Sequence, residues 1–133
     1  TGNAIPWIRL GDSSGIDSAS GDYDYASTSL ESDNTHTNIY SASSTAIVVG
    51  TGDMGAIATA GISGIYYLAQ PSDSATYSSI SGNSINSNST TSMNVHSGGG
   101  QRVAALVHDR VQFLFHTGTI TTGRLTVWGL AHA

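Results

Sequence analysis

RVQFLFHTGTITTGRLTVWGLAHA, residues 110–133, decides the fold. Two apolar runs flank a Gly-bounded link, and charge is almost absent. In VQFLFH, Val111, Phe113 and Phe115 fall on one side of an extended chain, and Gln112, Leu114 and His116 on the other. In RLTVWGL, Leu125 and Val127 share one side, and Arg124, Thr126 and Trp128 the other. A period of two is the mark of β-strands. Gly118 and Gly123 supply positions of positive φ for a wide turn. The expectation is a terminal β-hairpin that sends Phe113, Phe115, Leu125 and Val127 into the core. One apolar face suffices for a sandwich. A second, carrying Leu114 and Trp128, predicts contact with a neighbouring subunit.

Working outward, the same period recurs. AIPWIRLG (4–11) reads as a strand with its proline at the start, where a missing N–H is tolerated. GDSSGIDSASG (11–21) is a run of turn formers, and DYDYASTSL (22–30) a half-exposed strand. THTNIYSAS and TAIVVGTG follow as two short strands. GISGIYYLAQP places Ile62, Gly64, Tyr66 and Leu68 on one face and ends at Pro71. ATYSSISG is a weaker strand, and SINSNSTTS (84–92) a polar loop. TSMNVH and RVAALVH read as strands, with HSGGGQR (96–102) as a flexible turn. No window repeats apolar residues at helical spacing for three turns. The glycines of GDMGAIATAG (52–61) argue against more than one turn there. About eight to ten short strands and no fixed-period repeat predict a single all-β domain over 1–133: an antiparallel β-sandwich, jelly-roll-like.

Composition narrows the function. Charged residues make up 10% of the 133 and hydrophobic residues 38%, with a net charge of −5. All four cationic side chains are arginines (Arg9, Arg102, Arg110 and Arg124). Nucleic-acid affinity rests largely on neutralising phosphates, so no nucleic-acid partner is expected. No apolar run approaches the ~20 residues of a membrane span, so no membrane insertion is expected. Without cysteine, disulfides and thiolate metal sites are excluded.

The ordered motifs carry a resemblance. GDYDYAS, a Gly-rich stretch, SGIYYLAQPSD, a Ser/Asn loop, V-x-F-L-F, a turn of form x-G-x-I-x-x-G and L-x-V-W-G-L follow in that order. This set resembles the β-sandwich domains at the C-terminus of tail fibres and minor tail proteins of tailed bacteriophages. Gly118, Ile120, Gly123, Leu125, Gly129 and Leu130 match the closing hairpin of that family, with Trp128 where tyrosine is usual. The resemblance covers about residues 7–130. It implies a non-enzymatic structural module of the virion surface: a homotrimer in a tail fibre or decoration, contacting other virion proteins and serving host attachment through a cell-surface glycan. The family has one or two strands before the WIRL-like strand, and here only six residues precede it. Either an upstream part is missing, or the module is shorter, or a neighbouring chain completes the sheet.

Other chemistry is thin. Asp12, Asp17, Asp22 and Asp24 are the oxygen donors a Ca²⁺ ion would use, but their spacing is not that of an EF-hand loop. Turn formation and edge-strand charge are the favoured reading. Asp22 and Asp24 share a strand face rather than flanking a cleft, which disfavours glycoside hydrolysis. His36, His96, His108, His116 and His132 form no metal-binding pair. No Ser/His/Asp set and no G-x-S-x-G elbow is legible. Neither a cofactor nor a catalytic residue is expected. Trp7, Tyr23, Tyr25, Tyr40, Tyr66, Tyr67, Tyr77 and Trp128 could stack on sugar rings, with about half expected in the core. Tyr23, Tyr25 and Tyr77 are the leading candidates, and 11–21 and 84–100 the candidate loops. A carbohydrate-binding module is the alternative reading.

Overall fold

The computed structural model describes residues 4–51, 54, 60–87 and 92–130. Among them are nine strands and no helix: β1 (Pro6–Asp12), β2 (Gly15–Ile16), β3 (Tyr23–Glu31), β4 (His36–Ser44), β5 (Ile47–Val48), β6 (Ile62–Ala69), β7 (Ser79–Ser87), β8 (Met93–Arg102) and β9 (Arg110–Phe115). They form two antiparallel sheets. In the first, β1 pairs along its length with β9, while β5 and β2 share its other edge. The second has the order β4-β3-β8-β7-β6. The chain is an all-β sandwich, as the alternation in the sequence predicts.

The core lies between the sheets. Ile8, Leu10, Ile47 and Val49 from one side meet Tyr23 and Ile80 from the other. Tyr25, Tyr66 and Phe113 close around them, half-buried. In β1 the inward residues are Pro6, Ile8 and Leu10, all buried, and Trp7 and Arg9 face outward. The inward side of β6 is the Ile62, Gly64, Tyr66, Leu68 set, because Tyr66 faces the core cluster.

Between residues 84 and 109, three segments differ from expectation. HSGGGQR is no turn: it is the C-terminal part of β8, the central strand of its sheet, paired with β3 and β7 on both edges. Its glycines are there because neighbours come close. A Cβ on Gly98 would lie 2.1 Å from Ser27 Cβ, and one on Gly100 would lie 2.9 Å from Ile47 Cγ1 across the core. SINSNSTTS is strand as far as Ser87, paired with Met93, and residues 88–91 lie outside the described set. RVAALVH is not a strand beyond Arg102. The backbone of residues 103–109 bonds elsewhere: Val103 N–H donates to Asp22 O, His108 N–H to Pro71 O and Asp109 N–H to Gly11 O. The Gly-rich stretch 52–61 lies largely outside the described residues.

Candidate functional site

A polar node ties the sheets together at one end. Arg102, the last residue of β8, sends Nε to Asp17 Oδ2 at 2.8 Å and Nη2 to Asp22 Oδ1 at 3.1 Å. Its guanidinium also lies 5.8 Å from the Tyr23 ring centroid. The wholly buried Tyr23 hydroxyl accepts from Leu10 N–H at 2.8 Å and faces the carbonyls of Leu10 and Asp17. Burial pushes the Tyr23 phenol up to about 12, so it stays a neutral donor.

Behind this node runs a Ser–His–Asp line that the sequence does not reveal. Ser78 Oγ is 2.9 Å from His108 Nδ1, and His108 Nε2 is 4.0 Å from Asp17 Oδ2. Its hydrogen bonds make it a clamp. The Ser78 hydroxyl donates to Gln70 O at 3.0 Å, so Nδ1 is the donor toward serine and the imidazole is not its base. Ser78 is wholly buried, and Asp17 is already paired with Arg102.

A second polar set lines the inner face of the five-stranded sheet. Ser84 Oγ donates to Val49 O, and Asn86 Nδ2 and Asn94 Nδ2 both donate to Thr51 O. His96 lies in register between Ser29 and Ser84. It is 1% exposed, with no hydrogen-bond partner for either ring nitrogen among the described residues. Burial therefore holds its pKa below the ordinary 6.5. Burial also lowers His108, outweighing the attraction of Asp17. Both favour the neutral ring in the fold. Their stabilising contribution is complete above pH 6.5 and is lost as pH falls from there toward the lower folded values. The melting temperature is expected to drop between pH 7 and pH 5, and His96→Gln should flatten that slope. An equal slope in the variant would assign the loss to other groups.

The four aspartates do not converge. Asp17 and Asp22 are held by Arg102. Asp12 caps its own turn through Ser14, which keeps its carboxyl below the usual range. Asp24 lies on the opposite face of β3 from Tyr23 and Tyr25. Among the described residues no three His, Asp or Glu side chains form a metal-binding group. Of the candidate sugar-stacking residues, Tyr23 is corrected to core, because its hydroxyl spans β1 and the 11–21 loop. Tyr25 is half-buried against the core. Tyr77 is 46% exposed. Two others of the aromatic set, Tyr40 and Tyr67, are more open at 80% and 63%. Nor is 84–100 a loop, since β7 and β8 occupy most of it.

The closing segment is the most exposed apolar part of the molecule. Phe113 and Phe115 are half-buried on the inner face of β9, and Leu114 is half-buried opposite Trp7 on the outer face. Leu125 and Val127 are corrected from core to surface: they are 66% and 70% exposed. Residues 124–130 join no β-ladder, so no sheet carries their side chains inward. Trp128 and Leu130 are exposed at 84% and 85%. Among the described residues the second edge of β9 has no partner strand. A cleft of about 1140 Å³ opens along this flank, lined by Met54, Ile62, Tyr66, Phe113, Phe115 and Leu125, with the link 117–123 as a wall.

No protein-family model, curated protein or solved structure matches the chain.

Proposed function

We propose that the chain is a non-enzymatic structural module of a bacteriophage virion, in a tail fibre or surface decoration, that works as a homotrimer. The virion assignment rests on the ordered motif resemblance over residues 7–130. The observation that supports assembly is the closing segment. Among the described residues, one edge of β9 and the apolar run Leu125–Leu130 both lack a strand partner. Each copy therefore offers both an acceptor edge and an apolar segment to cover it. Unpaired edges and contiguous exposed apolar surface are what soluble monomers avoid.

Native mass measurement at micromolar concentration is expected to give a trimer. A stable monomer overturns the assembly reading. Trp128→Ala should weaken association while leaving the thermal stability of the dissociated chain nearly unchanged, since the ring touches little within one chain. Equal loss of both would make Trp128 a core residue. Host attachment is the role this reading gives the exposed end of the module. The alternative, a carbohydrate-binding module, is favoured by a separate surface.

A further inference from the structure

The outer face of the five-stranded sheet carries a row of side chains running across all its strands. By register, Tyr40 of β4 is opposite Ala26 of β3, Ala26 opposite Gly99 of β8, Gly99 opposite Ser81 of β7, and Ser81 opposite Tyr67 of β6. The two ends are exposed tyrosines, and the three positions between them carry no side chain larger than serine's. Four inter-strand steps of about 4.8 Å put the tyrosine positions about 19 Å apart. The neighbouring row on one side is Asn38, Thr28, Ser97, Asn83 and Ile65, and on the other Asp24, Gln101, Ser79 and Ala69. A shallow depression of about 490 Å³ lies over Asp24, Ala26, Ser79, Ser81, Gly99 and Gln101. Gly99 keeps its floor low: a Cβ there would lie 2.1 Å from Ile80 O.

We infer that this trough binds a neutral oligosaccharide laid across the strands, with Tyr40 and Tyr67 stacking on its terminal rings. The inference does not require the assembly proposed above. Pyranose rings have an apolar face that suits an aromatic ring and a rim of hydroxyls that needs donors and acceptors. The trough offers both in that order: aromatic ends, a low floor, and hydroxyl, amide and carboxylate groups on its banks. Gln101 Nε2 is 3.5 Å from Asp24 Oδ2, a long contact that leaves both groups with capacity for a ligand.

Charge selects the class. Asp24 is the one ionised group beside the floor, and no arginine lies in these three rows. Phosphate-bearing polymers and sialylated or sulfated glycans find no counter-charge there. A protein partner is disfavoured by shape. Most of the larger aliphatic residues of this face lie away from the floor: Leu30, Val95 and Ile85 form a row beyond the Thr28, Ser97, Asn83 bank, and Ile65 ends that bank on β6.

The test is titration of the ¹⁵N-labelled full chain with neutral tetrasaccharides of β-1,4- and α-1,4-linked glucose, β-1,4-linked N-acetylglucosamine and α-1,6-linked mannose, and with a sialylated control. Amide shifts confined to Ala26, Ser81, Gly99 and Gln101 are expected with at least one neutral probe. Tyr40→Ala and Tyr67→Ala should each weaken binding by about tenfold, the scale of one lost aromatic contact. Both rings are exposed, so both variants should keep the native spectrum. Trp128→Ala should leave sugar binding unchanged, which separates failure of this site from failure of self-assembly. No shifts with any neutral probe, binding insensitive to both tyrosine variants, or tighter binding of the sialylated control would each overturn the inference.

Discussion

Gly100→Val is expected to destabilise the fold strongly. Gly100 lies near the C-terminal end of the central strand β8, facing the first sheet. A Cβ there would lie 2.3 Å from Asp24 O, 2.9 Å from Ile47 Cγ1 and 2.9 Å from Tyr25 Cβ. Two of these neighbours belong to the adjacent strand β3, and Ile47 is a fully buried member of the core. Valine adds two methyl groups beyond that Cβ. Relief requires β3 to move from β8 or the two sheets to part. Overpacking of a well-filled core costs about 1–3 kcal/mol and more where the backbone must shift; here at least about 3 kcal/mol is expected. Against a typical total of about 5–15 kcal/mol, that removes a fifth or more of the stability and should shift the unfolding midpoint far below the wild-type value. Chemical denaturation read by tryptophan fluorescence checks it. Gly61→Ala is the control, since a Cβ at Gly61 meets nothing within 4 Å. A Gly100→Val protein with the midpoint of Gly61→Ala would show that the sheets are not in contact at this point.

Arg102→Ala is expected to cost about 3 kcal/mol. The guanidinium bridges two largely buried carboxylates, Asp17 and Asp22, and its Nη1 also donates to Asp22 O at 3.1 Å. Removing it leaves two like charges together with no cation, and most of the loss is that uncompensated charge rather than the strength of the pair. Converting Asp17 and Asp22 to asparagine in the Arg102→Ala background should therefore recover part of the lost stability. Arg110→Ala is the contrast. Its pair with Asp109 is about half-exposed and joins chain neighbours, so its unfolding midpoint should stay near the wild-type value. Equal losses in the two arginine variants would mean that the node at the end of β8 holds nothing together.

The two variants act on features of different legibility. Arg102 is one of four cations in the sequence, and six of nine acidic residues fall within residues 12–33. An ion pair between these regions is a natural expectation, yet nothing local says which carboxylates Arg102 meets. The Gly98–Gly100 run is harder still. Three consecutive glycines read as a turn, because glycine loses most backbone freedom on folding and has no side chain to hold a strand. In the sheet the reason is the reverse. β8 is flanked on both edges, and its neighbours approach too closely for a Cβ.

The period-two alternation in β1, β3, β6 and β9 determined the strands, their faces and hence the all-β class, because the sorting of apolar from polar side chains is written residue by residue along each strand. Composition determined the charge and the absence of thiol chemistry, since four arginines, no lysine and no cysteine hold whatever the fold. Strand order is another matter. That β8 is central, that β9 pairs with β1 from the other end of the chain, and that Tyr40 and Tyr67 end one row across five strands are facts of register between distant segments. So is the fate of Leu125 and Val127. Their alternation marks them as strand residues, but alternation names no partner, and a strand buries its apolar face only where a neighbouring edge receives it. Among the described residues the edge of β9 and the run 124–130 have no strand partner, and tertiary structure alone decides that.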